Sequence, residues 1–328
     1  MINTGIIGYG KMGRIRAEAL RESGRGRITR VFEPSPEDIP FRRAESAEAI
    51  LRADDVEAVF ICTPNYLNRL LTIDALNAGK HVFCEKPPAF TAAEVEEIRE
   101  VEAASGKRLM YGFNHRHHGS IQHMHAVIKS GEYGEVLWMR GRYGKSVDQA
   151  FYQQWRASVD QAGGGILLDQ GIHMLDLFLY LGGTFDEVEA FVSNLYWDMP
   201  IEDNVFAILR DSQSGRVASL HSTMTQWRHL FSLEVFLSKG YLVLNGLRTS
   251  SRTYGDEVLS IAKNRSTAPA ATWEDEESIL FQEDTSWASE IEHFLDAIEH
   301  DTPVTIGTSE DAHTLMTLVD AIYTKGRQ

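Results

Sequence analysis

The 328-residue chain has little cysteine, no long apolar run and a deficit of positive charge. Its two cysteines, Cys62 and Cys84, are too few for a disulfide scaffold and fall in apolar segments, so we expect reduced core thiols of a cytoplasmic protein. No apolar stretch reaches the roughly 20 residues that cross a bilayer, and the N-terminus lacks a signal-peptide pattern. A net charge of −15 disfavours nucleic acid and anionic membranes as partners. What remains is a globular protein of ordinary composition, long enough for two domains.

The N-terminal segment carries a glycine pattern typical of dinucleotide binding. An apolar strand, residues 2–7, runs into Gly8, Gly10 and Gly13, and a helical pattern follows. The first glycine permits a tight turn, the second lets the backbone approach a pyrophosphate, and the third lets the helix pack on the strand. Because free amides and the helix dipole favour negative charge, we expect the pyrophosphate at the helix N-terminus.

The second predicted strand indicates which dinucleotide is bound. It ends at Glu33, at the distance where an acid meets the adenosine ribose hydroxyls. Pro34 and Ser35 follow, rather than an arginine, which favours NAD over NADP. Three nearby arginines keep NADP open as the secondary interpretation: Arg30, Arg42 and Arg43.

The first third of the chain continues to alternate between strand and helix patterns. This alternation predicts a doubly wound parallel sheet, whose ligands lie at the carboxyl ends of its strands. Thr63, Glu85, Lys86 and Asn114 each follow a predicted strand and are expected at that edge.

Beyond about residue 116 the pattern changes to strands joined by short polar turns. We expect an antiparallel meander with one covered face, and a second face that is wet or forms a subunit interface. The predicted fold class is therefore α/β, with a Rossmann domain at 1–118 and an α/β domain with an open, mostly antiparallel sheet at 119–328. Residues 263–277 are predicted to form a mobile surface segment.

Residues 163–176 read GGGILLDQGIHMLD and combine three glycines with an apolar run. If the run is an α-helix, Asp169, His173 and Asp176 line one stripe at i, i+4 and i+7. A carboxylate one turn from an imidazole suits proton transfer. The alternative is a buried Asp–His pair that only stabilises the helix.

The chain resembles the glucose–fructose oxidoreductase / inositol dehydrogenase / rhizopine-catabolism (Gfo/Idh/MocA) oxidoreductases over nearly its full length. The resemblance rests on GYGKMG at 8–13, TPN at 63–65, GKHVFCEKP at 79–87 and the 163–176 segment, in matching order and spacing. It implies that Lys86, Asp169 and His173 form the active-site trio, and that the Lys86–Pro87 peptide bond is cis.

Enzymes of this family typically pass a hydride from a sugar or polyol hydroxyl to nicotinamide, so the resemblance implies an NAD(P)-dependent dehydrogenase acting on CH–OH groups. The alcohol proton needs a base. His173 is our candidate, with Asp169 orienting it or holding a substrate hydroxyl, while Lys86 stabilises the developing alkoxide. If burial lowers its pKa, Lys86 is itself the base. The expected cofactor-binding residues are Gly8, Gly10, Lys11, Met12, Gly13, Glu33, Thr63, Pro64, Asn65, Asn68, Glu85, Lys86 and Asn114.

Candidate substrate-binding residues join the trio from two places. Arg116 follows the last Rossmann strand, and Arg156 precedes the glycines, near Tyr143, Lys145 and Tyr152. Arg116, Arg156 and Lys145 offer cationic contacts for a nucleotide-linked sugar. Five histidines are clustered after the last Rossmann strand: His115, His117, His118, His123 and His125. No metal site is expected there, since the spacing of these histidines is unlike that of zinc ligands.

One position departs from the family: the histidine that commonly follows Thr-Pro-Asn by three residues is Asn68 here. This change affects the expected surroundings of the nicotinamide. Two alternatives to a dehydrogenase stay open: an enzyme that keeps NAD bound and recycles hydride internally (epimerisation, elimination or sugar-to-sugar transfer), and a non-catalytic dinucleotide-binding sensor. A homo-oligomer, dimer or tetramer, is expected through the open sheet.

Overall fold

The computed structural model describes residues 1–36, 38–263 and 272–326, which form two compact units. The first unit combines Met1–His117 with Thr285–Thr317, and the second combines His118–Asp284 with the chain from Leu318 onwards. The predicted α/β class is confirmed. No helix in the described part of the chain is both long and apolar enough to cross a membrane.

The first unit is built on a five-stranded, entirely parallel sheet of order β2-β1-β3-β4-β5. Helices cover both faces of such a sheet, so β3 is buried along its whole length. The elements in chain order are β1 (Ile2–Ile7), α1 (Lys11–Ser23), β2 (Gly26–Phe32), α2 (Ala47–Leu51), β3 (Ala58–Ile61), α3 (Asn68–Asn77), β4 (His81–Glu85), α4 (Ala92–Ser105) and β5 (Leu109–Gly112).

The second unit is built on an eight-stranded mixed sheet of order β13-β12-β11-β10-β6-β9-β8-β7. Its elements are α5 (Gly119–Ser130), β6 (Val136–Ser146), α6 (Val159–Ala162), a π-helical turn (Leu167–Gly171), α7 (Ile172–Gly182), β7 (Glu187–Ser193), β8 (Asn204–Arg210), β9 (Val217–Thr223), β10 (Thr225–Leu237), β11 (Gly240–Asn245), β12 (Glu257–Lys263) and β13 (Glu277–Phe281).

Two further helices close the chain, α8 (Ser286–Glu299) and α9 (Ser309–Gly326). Helix α8 returns to the first unit, where Phe294 packs edge-on against the stacked rings of Phe60 and Phe83, with 5.6 Å between centroids in each case. The core of the first unit therefore includes residues that are more than 200 positions apart in sequence.

The predicted open, mostly antiparallel sheet is confirmed, but its strands do not follow one another as a simple meander at the centre. Strand β6 lies between β9 and β10 and runs parallel to β9, because the consecutive strands β9 and β10 pair with opposite edges of β6 and not with each other. The remaining pairs are antiparallel. Helix α7 covers one face, where Met174 and Phe178 occupy the space left by the missing side chain of Gly141.

Only the two ends of the predicted mobile segment at 263–277 can be compared with the structure. Its residues 264–271 lie outside the described residues. A short 3-10 helix at Trp273–Asp275 and the start of β13 fall within its remaining part. Strands β12 and β13 were not predicted.

Candidate active site

The predicted nucleotide loop joins β1 to α1, and its glycines are required for different reasons. Gly8 has a φ of +89°, and a Cβ there would lie 2.6 Å from the carbonyl oxygen of Cys62. A Cβ on Gly13 would lie 2.1 Å from the carbonyl oxygen of Gly8. Around Gly10, by contrast, no heavy atom of the described residues lies within 4 Å of a Cβ position. Packing within the unit explains two of the glycines, and open space at the third leaves room for a ligand to approach the backbone.

The start of α1 fits an anionic ligand. Gly10 is its N-cap and provides no side-chain acceptor, and the first turn carries no acidic residue. The backbone amides of this turn are therefore available to a phosphate group. These features fit the pyrophosphate of a dinucleotide.

Glu33 follows β2 and braces the nucleotide loop. One carboxylate oxygen accepts a hydrogen bond from the Tyr9 amide at 2.7 Å, and the other accepts one from the Ser35 amide at 3.0 Å. Arg43 donates to the carbonyl oxygens of Glu33 and Ser35 at 2.7 and 3.0 Å. The acid thus stands beside the loop, and its predicted contact with the adenosine ribose stays a prediction.

Glu85 is the last residue of β4, and the Lys86–Pro87 peptide bond that follows it is cis, as the resemblance implies. The side chain of Glu85 accepts a hydrogen bond from the buried guanidinium of Arg16 at 2.7 Å, and Glu290 is the second carboxylate on that guanidinium. Burial by itself lowers the pKa of Arg16, but Glu290 and Glu85 raise the pKa above its ordinary value. The carboxylate of Glu85 therefore anchors the turn that carries Lys86.

The other predicted cofactor residues of the first unit surround the ends of β3 and β5. Thr63 donates its hydroxyl to Asn68 at 3.1 Å, and Asn65 begins a 3-10 turn after Pro64. Asn114 donates to the hydroxyl of Ser286 at 3.4 Å. Their predicted roles in binding the nicotinamide half stay predictions.

In the second unit, Asp169 lies within the π-helical turn and His173 in the first turn of α7. The expected single α-helix is therefore wrong across 167–171, because the wider turn changes the spacing between the two side chains. Asp176 is fully buried. The uniform stripe expected for the three polar residues does not apply to this segment.

Two cations converge on the carboxylate of Asp169. The ammonium of Lys145, from β6, lies 2.8 Å from one oxygen, and the guanidinium of Arg156 lies 3.5 Å from the other. Arg156 also stacks over the ring of Trp155 at 4.3 Å. Of the two arginines predicted to bind substrate, Arg156 thus stands next to a predicted catalytic residue.

Two tyrosines accompany this polar group. The ring of Tyr143 lies 6.3 Å from that of His173 and 5.4 Å from that of Tyr254, whose hydroxyl donates to Gln170 at 3.3 Å. Burial raises the pKa of both Tyr143 and Tyr254 above the ordinary tyrosine value. Both phenols therefore stay protonated at neutral pH. Tyr254 and Gln170 were missed in the sequence, which offers no signal for an isolated loop tyrosine.

Glu202 holds the glycine-rich entry to the π-turn. This buried carboxylate accepts hydrogen bonds from the amides of Gly165 and Leu167 at 2.8 and 3.0 Å, and from the hydroxyl of Tyr323 at 2.9 Å. A Cβ on Gly165 would lie 2.0 Å from the carbonyl oxygen of Glu202. The glycine and the glutamate therefore fix the backbone that leads to Asp169.

Arg116 has a different environment from Arg156. It is buried in the first unit, and its guanidinium lies 3.0 Å from Asp311. This geometry favours a structural role for Arg116. Its predicted contact with substrate stays a prediction. The side chains of the histidine cluster also have separate partners: His117 lies beside Ser289, and His118 lies beside Glu257. The described residues contain no group of three or more His, Cys, Asp or Glu side chains that could hold a metal ion.

Comparisons with known proteins agree with both halves of this geometry. The family model "Oxidoreductase family, NAD-binding Rossmann fold" matches residues 2–113, and the GFO/IDH/MocA C-terminal domain matches residues 121–243. The chain belongs to the Gfo/Idh/MocA oxidoreductase family. The resemblance drawn from the motifs is therefore confirmed.

Individual members of the family differ in their printed activities. The chain is 32% identical to a 1,5-anhydro-D-fructose reductase of Ensifer adhaerens, over 68% of this chain and 67% of that protein. It is 27% identical to a 2,7-anhydro-N-acetylneuraminate hydratase of Escherichia coli, over 76% and 67% of the two chains. A solved levoglucosan dehydrogenase in complex with NADH and levoglucosan superimposes with a TM-score of 0.88 at 23% identity, covering 99% of this chain and 97% of that one. At this sequence identity, the likeness to the levoglucosan dehydrogenase structure shows a shared fold and not a shared substrate.

Proposed function

We propose that this Gfo/Idh/MocA protein is an NAD-dependent dehydrogenase that oxidises a hydroxyl group of a sugar, a polyol or a nucleotide-linked sugar. The observation that carries the proposal is the polar group around Asp169, where a carboxylate, two cations and a buried imidazole occur together in the second unit. Asp169, Lys145 and Arg156 are each only partly exposed, and charged side chains that converge at a partly desolvated position are typical of catalytic sites. The sensor alternative loses weight for the same reason.

The proposed chemistry divides among three residues. The nicotinamide of NAD supplies the hydride acceptor when bound. His173 takes the proton of the reacting hydroxyl, and Lys86 stabilises the alkoxide by its charge or takes the proton in place of His173. Asp169, held by its two cations, accepts a hydrogen bond from a neighbouring substrate hydroxyl. Arg156 and Lys145 are then close enough to Asp169 to contact the same substrate.

The proposed cofactor is NAD, with NADP as the secondary candidate. The open space at Gly10 and the amides of α1 would receive the pyrophosphate, and Glu33 would accept hydrogen bonds from the adenosine ribose. On this proposal 1–118 binds the nucleotide, and 119–328 binds substrate and forms the subunit contacts.

Internal hydride recycling is the second candidate function. It is favoured by the likeness to a protein named as a hydratase, an activity without net oxidation. In such an enzyme the cofactor stays bound, and hydride taken in one step is returned in a later one.

The first experiment is NADH formation from NAD across a panel of free sugars, anhydrosugars, inositols and nucleotide sugars. We expect at least one substrate, and a loss of about a hundredfold or more in kcat/KM for Lys86→Ala. Lys129→Ala, at an exposed position on α5, serves as the matched control and should keep full activity. A silent panel together with NAD that survives purification would favour internal recycling.

A further inference from the structure

The side chain of Asn68 joins two motifs of the first unit. It is the first residue of α3 and is fully buried. Its amide nitrogen donates to the carbonyl oxygens of Glu85 and Pro87 at 3.2 and 2.8 Å, and its amide oxygen accepts from the hydroxyl of Thr63 at 3.1 Å. Both N–H groups and the acceptor of the amide are therefore in use.

The two carbonyl groups that Asn68 holds lie on either side of Lys86. One belongs to the residue before it and the other to the residue after it, so one side chain fixes the backbone of Lys86 from both directions. The neighbouring carboxylate of Glu85 is held separately by Arg16. The direction in which the lysine side chain leaves the main chain is thereby determined.

We propose that Asn68 is a positioning residue that aims Lys86, rather than a residue that contacts the cofactor. This inference rests on the proposed function for the role of Lys86. Full burial argues against direct contact between the amide and a nicotinamide. The family's common histidine has a neutral imidazole with a single N–H, which can hold only one of the two carbonyl groups. The asparagine in this chain holds both.

Only a positioning role changes the behaviour of Lys86 itself. If Asn68 merely satisfies buried carbonyl groups, its removal lowers stability and leaves the lysine as it was. If it contacts the cofactor, its removal weakens NADH binding without altering the lysine. Reactivity of the half-buried Lys86 amine and affinity for NADH therefore separate the three roles.

The test compares Asn68→Ala with wild type in the full chain, without substrate. The rate of reductive methylation of Lys86 by formaldehyde, normalised to the exposed Lys129, is followed by peptide mass spectrometry. We expect a change of about threefold or more in that rate, while the NADH dissociation constant, measured by fluorescence, changes less than about threefold. Asn77→Ala, at the exposed end of the same helix, is the matched control and should match wild type in both readouts.

A folded Asn68→Ala variant with wild-type methylation of Lys86 overturns the proposal, whether or not NADH binding weakens. If this variant does not fold, Asn68→His takes its place, since it keeps a donor and should give a smaller change of the same kind. Once a substrate is known, kcat should fall about tenfold with KM nearly unchanged. Because methylation needs no turnover, a silent substrate panel would count against the proposed function and leave this result intact.

Discussion

At the scale of single residues, the predicted nucleotide loop separates positions that the fold requires from positions that a ligand requires. Gly8 and Gly13 face backbone atoms of their own unit, so any side chain there would collide with the protein. Gly10 meets open space, and Glu33 stands beside the loop with its carboxylate on two backbone amides. The last two positions are the ones at which substitution should change binding more than folding.

Glu33→Gln should weaken NADH binding by about tenfold and reduce the preference for NADH over NADPH. The glutamine keeps one acceptor oxygen where the carboxylate offers two, and it removes the negative charge that repels a 2′-phosphate. Fluorescence titration with both reduced dinucleotides measures the two affinities. Glu45→Gln, at an exposed position, is the control. An unchanged ratio of the two affinities would show that Glu33 does not select the cofactor.

The glycines and Glu33 were predicted because their spacing is local in sequence. The ion-pair network that anchors the turn carrying Lys86 was not predicted, because Arg16 contacts Glu85 across 69 positions of the chain and Glu290 across 274. An arginine on the apolar side of a helix signals a buried ion pair, but its partners follow only from the tertiary fold. Asn68 was singled out as a departure from the family, while its contacts were visible only in the structure.

At the scale of elements, the segment around Asp169 shows where helical periodicity fails. The apolar pattern of 163–176 predicts one α-helix, and the chain instead makes a π-turn before α7. The contacts at its entry come from Glu202, more than 30 positions away, which holds the amides of Gly165 and Leu167. The local pattern correctly predicts that the segment is helical, but it gives no sign of the distant carboxylate that holds the start of the π-turn.

Glu202→Gln should destabilise the protein by about 1–3 kcal/mol. The carboxylate accepts from two amides and a hydroxyl, and a glutamine in its place turns an N–H toward one of these donors. Calorimetric unfolding should show a lower Tm, and activity should fall because the turn carries Asp169. Glu189→Gln, exposed on β7, should leave both unchanged. A wild-type Tm would mean that the entry to the turn is held without this carboxylate.

The same substitution should alter the pH dependence of stability. Burial raises the pKa of Glu202 above its ordinary value, although the hydrogen bonds from Gly165, Leu167 and Tyr323 oppose this. The native state therefore binds a proton more tightly than the unfolded state does. Stability from this group is full below the ordinary glutamate pKa and is lost as pH rises through the raised one. The Tm difference between wild type and Glu202→Gln should accordingly be larger at pH 4.5 than at pH 7.5.

At the scale of the whole molecule, the exposed face of the eight-stranded sheet carries a group of aromatic side chains, and apolar patches of this kind often mark interaction surfaces. Phe191 on β7 and Phe206 on β8 are directly opposite each other and are 75% and 49% exposed. Phe206 stacks on His221, and on β6 Trp138 stacks on Phe236 of β10. Alternation along each strand predicted one covered face. Which aromatic residues come together on the other face depends on strand order, and the insertion of β6 made that order unpredictable.

We propose that this face joins copies of the chain, so the protein should be a dimer or tetramer in light scattering coupled to size exclusion. The double variant Phe191→Glu, Phe206→Glu places two like charges opposite each other on that face, and the cost of burying them should shift the assembly to monomers. Leu70→Glu introduces the same charge at an exposed apolar position of the first unit and should leave the assembly unchanged. Wild-type protein that is monomeric at micromolar concentration would defeat the proposal, because an interface of this apolar character should persist at that dilution.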